Sequence, residues 1–423
     1  MTSSVIHLHL GGAGVKIGDA LWKLYEKEES DTNVKGYIYN ENDNNRYPLA
    51  LFADFDDQMI NEVKNNKSIK YKSTSFVSGK EDASNNFCRG HFTVGKELID
   101  QCLDQLRKQI ESIDRLDQFI ITSALSGGTG SGFANLLLER MSTEYGRKTQ
   151  NNAFLVYPSQ EMSNITVDVY NVVLSTHLTS EYYDSVVMLD NQSMYESIDS
   201  QIGLDYVDYT HLNNLISQLI SSYTGLRRFS QIDNTKLLSG LCPYPKIHYI
   251  TPSYGPLATI NDKINQELNE KQLTSYITKP EQRLFISQIN PEHFCTALVH
   301  RSKEKNQFFG QSALSFQKMK IRYQESPYVL QCISQNYTVI SELAQLKQTG
   351  VFLSNNLSVL NYFQMLLKKY NKLFDRRAFL HWFWGEGGGF GFIQECAGQL
   401  EYLIRDYQEV WEKDDDIDID IID

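Results

Sequence analysis

The chain has 423 residues, of which 41% are hydrophobic, and carries a formal net charge of −12 at pH 7. This length allows two or three domains with a sizeable core. The negative charge makes nucleic acid a poor partner. The sequence contains no apolar run close to the roughly 18 residues of a membrane span and no signal-peptide pattern. We therefore expect a cytoplasmic protein without a membrane span.

The chain opens with an apolar run that is followed by glycines. Residues 5–10 predict a strand, residues 11–14 (Gly-Gly-Ala-Gly) predict a turn, and from Val15 onward apolar residues recur at helical spacing. Strand, glycine loop and helix in this order form the first unit of a doubly wound α/β fold. The pattern is common among α/β proteins and does not by itself indicate a function.

Acidic residues follow the second predicted strand. Residues 29–47 are polar and predict a loop, residues 49–52 predict a strand, and the run D-F-D-D begins at Asp54. Carboxylates just past a strand end, close to a phosphate-binding loop, suit a Mg²⁺ ion. A solvated turn is the alternative that the residues alone leave open.

The densest glycine stretch is L-S-G-G-T-G-S-G at residues 125–132. An apolar run precedes it and an apolar-periodic segment follows it, which predicts a strand, a tight loop and a helix. The backbone N–H groups of such a loop, together with a helix N-terminus, attract phosphate. No lysine follows the last glycine as in a Walker loop, and the spacing differs from G-x-G-x-x-G. A plain linker is the alternative.

Three stretches carry a resemblance to a known family. Residues 125–132 resemble the tubulin signature G-G-G-T-G-S-G, with Ser126 in place of its first glycine. Residues 78–95 are close to the α-tubulin sequence GKEDAANNYARGHYTIG, and residues 376–383 are similar to the family's KRAFVHWY. The chain is therefore identified as a divergent, α-tubulin-like member of the tubulin family.

The first glycine loop also resembles the family, with two replacements. Residues 11–18 resemble G-Q-A-G-x-Q-x-G, and Gly12 and Lys16 stand at the two glutamine positions. The resemblance implies that both positions lie near the nucleotide. Lys16 then either meets an anion or is solvated, and the sequence leaves both alternatives open.

The resemblance implies an α/β, tubulin-like fold. Its parts are an N-terminal doubly wound nucleotide-binding domain, a central helix, a second α/β domain and a C-terminal helical hairpin. The implied boundaries are residues 1–190 for the GTP-binding domain, 191–356 for the central helix and intermediate domain, 357–411 for the C-terminal helices and 412–423 for an acidic tail. The last twelve residues hold seven acids and one lysine, half of the net negative charge.

The resemblance further implies a site for GTP and Mg²⁺. Its predicted members lie in six loops and on the central helix, which the resemblance places around the phosphates, the ribose and the guanine. Asp56 falls at the position of the family's magnesium-side glutamate, Asn164 belongs to the ribose loop, and Tyr209 is expected to stack on the base. The other members are Gly11, Gly12, Ala13, Asp82, Ala83, Asn85, Ala124, Gly127, Gly128, Thr129, Gly130, Asn191 and Asn213.

Two loops that contact neighbouring subunits in the family are altered. Asp233 matches the family's hydrolysis-triggering Asp, but Lys236 stands at the position of the α-tubulin Glu. A lysine with a pKa of about 10 is charged at pH 7 and cannot act as a general base, so no catalytic residue is predicted. Residues 256–269 lack the family's lateral aromatic–His pair, since Ile264 and Asn265 stand there.

Three functions are therefore weighed. The first is a GTP-binding cytoskeletal subunit that builds or modifies microtubules with β-tubulin or another tubulin-like subunit, with associated proteins on its C-terminal helices. The second is a soluble tubulin-like protein that sequesters tubulin without entering the lattice. The third is an unrelated nucleotide-dependent α/β enzyme, for which the sequence offers no recognisable acid–base pair.

Overall fold

The computed structural model describes residues 3–29, 34, 36–42, 45–66, 68–146, 149–159, 165–203, 206–259, 270–285, 292–303, 321–324, 328–340 and 342–412. Three sequence predictions fall on residues outside these ranges. They concern Asn164, the pair Ile264 and Asn265 in the lateral loop, and nearly all of the acidic tail.

Twelve α-helices lie within the described ranges. Two π-helical turns, Arg89–Thr93 and Thr129–Phe133, directly precede the third and fourth of them, and short 3₁₀ helices occur at Ser73–Ser75 and Pro280–Gln282. The α-helices are α1 (Gly11–Glu28), α2 (Asp57–Lys64), α3 (Val94–Glu111), α4 (Ala134–Tyr145), α5 (Asp168–Tyr182), α6 (Asn191–Ile202), α7 (Tyr209–Ser230), α8 (Thr235–Leu241), α9 (Glu270–Ile277), α10 (Ser358–Phe374), α11 (Leu380–Gly385) and α12 (Phe390–Glu412).

One ten-stranded sheet and one hairpin contain the described strands. The strands are β1 (Ser3–Leu10), β2 (Tyr39–Asn42), β3 (Asn45–Pro48), β4 (Ala50–Asp54), β5 (Phe76–Ser78), β6 (Arg115–Ala124), β7 (Gln150–Tyr157), β8 (Ser185–Asp190), β9 (Tyr249–Gly255), β10 (His293–Ser302), β11 (Tyr328–Ile333) and β12 (Gln348–Asn356). The sheet order is β11-β10-β12-β9-β8-β7-β6-β1-β4-β5. Pairing is parallel from β9 to β5, whereas β12 runs antiparallel to both of its neighbours.

The glycines after β1 begin a helix. The prediction of a turn at residues 11–14 is wrong, because α1 starts at Gly11 immediately after the strand. Gly11 has φ +74, a left-handed conformation that glycine adopts at low cost, and it turns the chain directly into the helix. Gly14 serves close packing instead, since a Cβ there would lie 2.4 Å from the carbonyl oxygen of Thr122.

The polar segment after α1 contains a hairpin. The prediction of a loop over residues 29–47 is wrong in part, because β2 and β3 pair antiparallel there. Tyr39 is buried with its ring 5.4 Å from that of Trp22, and the guanidinium of Arg46 lies 4.2 Å above the Tyr39 ring. An aromatic core contact and a cation–π contact therefore order a segment whose composition indicates a loop.

The central helix matches its sequence prediction closely. It is predicted over residues 209–228 and observed over Tyr209–Ser230. Asp208 caps its start by accepting a hydrogen bond from the backbone N–H of Tyr209 at 2.6 Å, and Gln231 ends it in a left-handed conformation. Almost every residue from Leu212 onward is buried, because α7 packs on both α1 and the second half of the sheet.

The C-terminal part forms the predicted helical hairpin with an extra break. The continuous helix predicted over residues 360–383 is wrong, because α10 ends at Phe374 and the short α11 follows. Arg377 and Phe379 take positive φ values of 51 and 60 in the turn between them, which a helix cannot accommodate. Both α10 and α12 pack on α5, and the α/β fold class with a central helix and C-terminal hairpin is confirmed.

A buried ion cluster joins the two halves of the molecule. Glu28 at the end of α1 accepts hydrogen bonds from Arg228 on α7 at 2.9 Å and from Arg301 on β10 at 2.5 Å. The hydroxyl of Ser221 donates to the same carboxylate at 2.7 Å. Burial alone would raise the pKa of Glu28, but the two guanidinium groups outweigh it and hold this pKa below its usual value.

We expect Glu28→Gln to destabilise the protein strongly. The variant leaves the guanidinium groups of Arg228 and Arg301 buried without a counter-charge, which costs about 3–5 kcal/mol of unfolding free energy. Urea denaturation measures this loss. Glu26→Gln on the same helix is the control, because Glu26 pairs with Arg46 at the surface and such pairs contribute at most about 1 kcal/mol. Equal losses in both variants would contradict the interpretation.

Strand β1 places two histidines inside the core. The indole of Trp22 donates to Nε2 of His9 at 3.1 Å, so Nδ1 carries the proton and donates to the hydroxyl of Thr122 at 2.7 Å. The ring nitrogens of His7 have no hydrogen-bond partner among the described residues. Burial lowers the pKa of both groups, to about 3 for His9. Both imidazoles are therefore neutral in the folded protein.

This burial predicts loss of stability in mild acid. Below pH 6.5 the unfolded chain binds a proton at His7 that the folded chain excludes, so the unfolding free energy falls as the pH drops. We expect His7→Leu to reduce this slope by up to about 1.4 kcal/mol per pH unit between pH 6.5 and 5. Urea midpoints measured at several pH values provide the check. An unchanged slope in His7→Leu would refute the argument.

Candidate nucleotide-binding site

Two glycine loops meet at the point where the strand order of the parallel sheet reverses. From β1 the chain continues to β4 on one side and later returns to β6 on the other. Loops at the carboxyl ends of strands on either side of such a point form a crevice for ligands. Here a Cβ on Gly11 would lie 3.2 Å from the backbone nitrogen of Gly130 and 3.4 Å from Cβ of Thr129. The first and the central glycine loops are therefore in direct contact.

A third loop, residues 82–86, packs against the central one. A Cβ on Gly128 would lie 2.8 Å from Cβ of Ala83 and 2.7 Å from the backbone nitrogen of Asn86, so only glycine fits there. Ser84 and Asn85 both take left-handed conformations, with φ values of 51 and 52. Such conformations cost on the order of 1–3 kcal/mol each and persist where the surroundings enforce them.

Asn171 on α5 joins the third loop to the central one. Its side-chain nitrogen donates to the carbonyl oxygens of Asn85 at 2.7 Å and Ser126 at 2.8 Å, and its oxygen accepts from the backbone N–H of Phe87 at 3.0 Å. The side chain is fully buried. Sequence reasoning missed this residue, and the only available signal is an amide within the apolar run that follows Asp168.

Asp54 is the carboxylate that lies among the loops. Its side chain is buried, accepts from the backbone N–H of Phe55 at 2.8 Å and is hydrogen-bonded to Thr129. A Cβ on Gly12 would lie 3.6 Å from Oδ2 of Asp54. Burial raises the pKa of this carboxyl to about 6. In the sequence, the signal for Asp54 is its position at the end of a buried strand.

The predicted metal ligand Asp56 occupies a neighbouring but different place. Asp56 precedes α2, and its carboxylate accepts from the backbone N–H of Gln58 at 2.9 Å as an N-cap. Within the described ranges no cluster of three or more His, Cys, Asp or Glu side chains is arranged to hold a metal ion. Mg²⁺ commonly binds through one or two carboxylates together with substrate phosphates. Asp54, with Asp56 nearby, fits that requirement.

A cavity of about 580 Å³ extends from these loops to the central helix. This volume lies within the range of nucleotide and drug-sized ligand pockets. Tyr209 stands at the start of α7 with 62% of its surface exposed, and Asn213 follows one helical turn later. Of the predicted site residues, the cavity is lined by Gly12, Ala13, Ala124, Asn191, Tyr209 and Asn213; further lining residues include Lys16, Ser126, Ser159 and Asp168.

Comparisons with known proteins agree with this geometry. A family model described as the Tubulin/FtsZ family, GTPase domain, matches residues 4–199. A tubulin alpha-2 chain from Eleusine indica is 34% identical over 96% of this chain and 97% of its own length. The chain belongs to the tubulin family. The predicted family is thereby confirmed, and its GTPase domain implies that the chain binds GTP.

The predicted site residues of this tubulin-family chain fall into two groups. Six line the cavity, and the others lie in the three contacting loops, apart from Asp56 at the start of α2 and Asn164 outside the described residues. Asp82 belongs to the loop group, and its carbonyl oxygen accepts from Nε of Arg89 at 2.9 Å. The individual roles assigned to these residues remain predictions.

The loop that carries Asp233 begins α8. The carboxylate of Asp233 accepts hydrogen bonds from the backbone N–H and the hydroxyl of Thr235, at 3.2 and 2.6 Å, just before the helix. The side chain of Lys236 is not among the described ones, although its backbone belongs to α8.

Within the described ranges, no helix combines the length and apolarity that crossing a membrane requires.

Asn171 provides a test of the loop arrangement. We expect Asn171→Ala to weaken GTP binding about tenfold or more, because three hydrogen bonds that position two loops are lost and each contributes about 1 kcal/mol. Titration with a fluorescent GTP analogue measures the effect. Asn151→Ala is the matched control. Asn151 is also a buried amide, and it donates to the carbonyl oxygen of Tyr182, but it lies at the end of β7 that is farther from the loops. Equal weakening in both variants would show that only stability had changed.

Proposed function

We propose that this chain is a GTP–Mg²⁺-binding tubulin subunit that joins β-tubulin or another tubulin-like subunit in microtubules or modifies such polymers. We further propose that it triggers GTP hydrolysis poorly in its longitudinal neighbour. The observation that supports the proposal most is the contact of the two glycine loops with the loop of residues 82–86, beside a nucleotide-sized cavity at the point where the strand order reverses.

The phosphates would lie against the contacting loops. Gly127 has open space where a Cβ would stand, so ligand atoms can approach its backbone closely. The N-terminus of α1 begins at Gly11, which contacts the same loop at Thr129 and Gly130, and it contributes a partial positive charge. Across the cavity, the aromatic face of Tyr209 and the amides of Asn191 and Asn213 suit a purine. With its phosphates at the loops and its base at Tyr209, the nucleotide would bind in one orientation.

Magnesium would be held by the acidic residues beside the first loop. Asp54 lies between Gly12 and Thr129, and Asp56 follows two residues later. Carboxylate oxygens and a threonine hydroxyl are ligands that Mg²⁺ accepts together with phosphate oxygens. The ion would neutralise charge on the phosphates. The raised pKa of Asp54 indicates a buried carboxyl that gains from a nearby cation.

The proposed weakness in hydrolysis rests on the start of α8. The carboxylate of Asp233 accepts hydrogen bonds from the backbone N–H and the hydroxyl of Thr235, the first residue of α8. One turn later Lys236 replaces the acidic residue that would polarise water, and a charged lysine accepts no proton. Hydrolysis across this contact would then lack its general base.

The C-terminal hairpin supports the proposed partner surface. Trp382, Trp384, Phe379 and Phe390 are each at least 41% exposed around the turn between α10 and α12. The ring of Trp384 lies 6.4 Å from that of Phe390, so part of this surface is contiguous. Exposed aromatic groups of this kind are typical of protein–protein contacts. We infer that associated proteins bind there.

The alternative function is a soluble protein that sequesters tubulin. The sequence feature that favours it is the replacement of the lateral aromatic–His pair by Ile264 and Asn265. Electron microscopy of the protein mixed with β-tubulin separates the two functions. Incorporation into a lattice supports the first, and complexes that stay soluble support the alternative.

Nucleotide content tests the proposal directly. We expect acid precipitation of the purified protein to release about one GTP per chain, because the site is filled and its nucleotide is not hydrolysed. Chromatography identifies the nucleotide. Release of GDP would contradict the persistence of GTP in this chain's own site, and an empty site would contradict GTP binding.

Lys236 offers a gain-of-function test in co-assembly with β-tubulin. We expect Lys236→Glu to accelerate GTP hydrolysis in the neighbouring subunit by about 10²–10⁴-fold, the usual contribution of a positioned general base. Phosphate release during assembly measures it. Lys236→Gln removes the positive charge without supplying a base and should stay slow. Equal acceleration of GTP hydrolysis in both variants would show that removal of the lysine's positive charge, and not the added base, causes the effect.

A further inference from the structure

We propose that the acidic segment of residues 413–423 docks in a groove between α5 and α10 of its own chain. The contact is intramolecular and does not depend on a bound nucleotide. It gives a place on the protein to the segment that carries much of the chain's negative charge.

The groove between α5 and α10 has an apolar floor. Its volume is about 450 Å³, and it lies beside the nucleotide cavity, with which it shares Ile165 and Asp168. The buried side chains of Tyr362 and Leu366 from α10 line it. Ile165 is 45% exposed, so part of this apolar lining is open to solvent. Contact with another apolar group would remove that surface from water and stabilise the contact.

Basic side chains follow the groove along α10. Lys369 and Lys372 lie nearly one turn apart and therefore on the same helix face, and Arg376 follows in the turn after α10 ends. All three side chains are exposed. Among the described lining residues, the one acidic side chain is Asp168, which is buried. The exposed rim of the groove is therefore positively charged.

The sequence of the acidic segment complements this lining. A run of three aspartates ends at Asp416, and from there to Ile421 aspartate and isoleucine alternate. A period of two puts one residue type on each face of an extended chain. In an extended conformation the isoleucines enter the apolar groove, and the aspartates stay at the rim beside the basic side chains.

The acidic segment is long enough to reach the groove. It follows α12, whose end lies near the start of α10. The backbone N–H of Leu357 donates to the carbonyl oxygen of Glu292 at 3.0 Å, and the ring of Phe294 lies 5.6 Å from that of Trp411. At 1.5 Å per residue, Lys372 stands about 23 Å along α10 from Leu357. Eleven extended residues span up to about 36–40 Å.

Charge and connectivity favour this groove and this occupant. A larger cavity of about 920 Å³ is lined by Glu181, Asp184 and Lys246, and its acidic side chains would repel an acidic segment. The segment of a second copy has the same chemistry. However, a short direct connection gives the chain's own segment an effective concentration on the order of millimolar. Docking within one chain is therefore the expected contact.

Zero-length cross-linking of the full chain tests this proposal. A carbodiimide joins an aspartate carboxylate to a lysine amine only where the two are in contact, and mass spectrometry of the peptides identifies each pair. We expect aspartates of residues 413–423 to cross-link to Lys369 and Lys372. Lys368 is the internal control, because it is also exposed on α10 but does not line the groove.

Three variants separate docking from general attraction. We expect Arg376→Glu to lower cross-linking at Lys372 about fivefold, since losing one exposed ion pair changes the docked population by up to about that factor. Arg377→Glu reverses an exposed neighbouring charge outside the groove lining and should leave the cross-linking unchanged. A variant with serine at positions 417, 419 and 421 keeps every charge of the segment. It should also lose cross-linking, because the apolar contact is removed.

Isotope labelling identifies the occupant of the groove. In a mixture of chains with natural and heavy nitrogen, docking within one chain gives cross-linked peptides of a single isotope. Pairs of mixed isotope would overturn the proposal in favour of a second copy's segment. Equal cross-linking of Lys368 and Lys372, or the absence of cross-links to either, would overturn it as well, because the segment would then have no fixed place in the groove.

Discussion

The buried carboxylate of Glu28 is the contact on which the arrangement of the molecule depends. It ends the first helix, and its partners Arg228 and Arg301 belong to the central helix and to the second half of the sheet. All three side chains are fully buried, so each charge needs the others to offset its desolvation. The cluster therefore ties the first helix, the central helix and the second half of the sheet together.

That arrangement in turn sets the geometry of the nucleotide cavity. The first helix carries Gly12 and Lys16 on one wall, and the central helix carries Tyr209 and Asn213 on the other. The same two helices are joined at their far ends, where Glu28 meets Arg228. Ionic contacts in the core and the width of the ligand site are therefore linked through two rigid helices.

Close approach of backbone segments governs how the three contacting loops pack together. A side chain at Gly11 or Gly128 would collide with a neighbouring loop, and one at Gly130 would collide with the carbonyl oxygen of Ala124 at the end of β6. The side-chain amide of Asn171 donates hydrogen bonds to two of those loops, at Asn85 and Ser126. Together, the glycines and Asn171 order irregular backbone at one edge of the sheet.

The sequence by itself determined the glycine loops, the central helix and the family, because glycine spacing, helical periodicity and motif order are local properties. It also supplied the residues of both cavity walls. Only the tertiary structure revealed the helical start at Gly11, the break after Phe374, the roles of Asp54 and Asn171, and the placement of Lys16 opposite Asn213. Each of these depends on contacts between residues far apart in the chain, which no local pattern encodes.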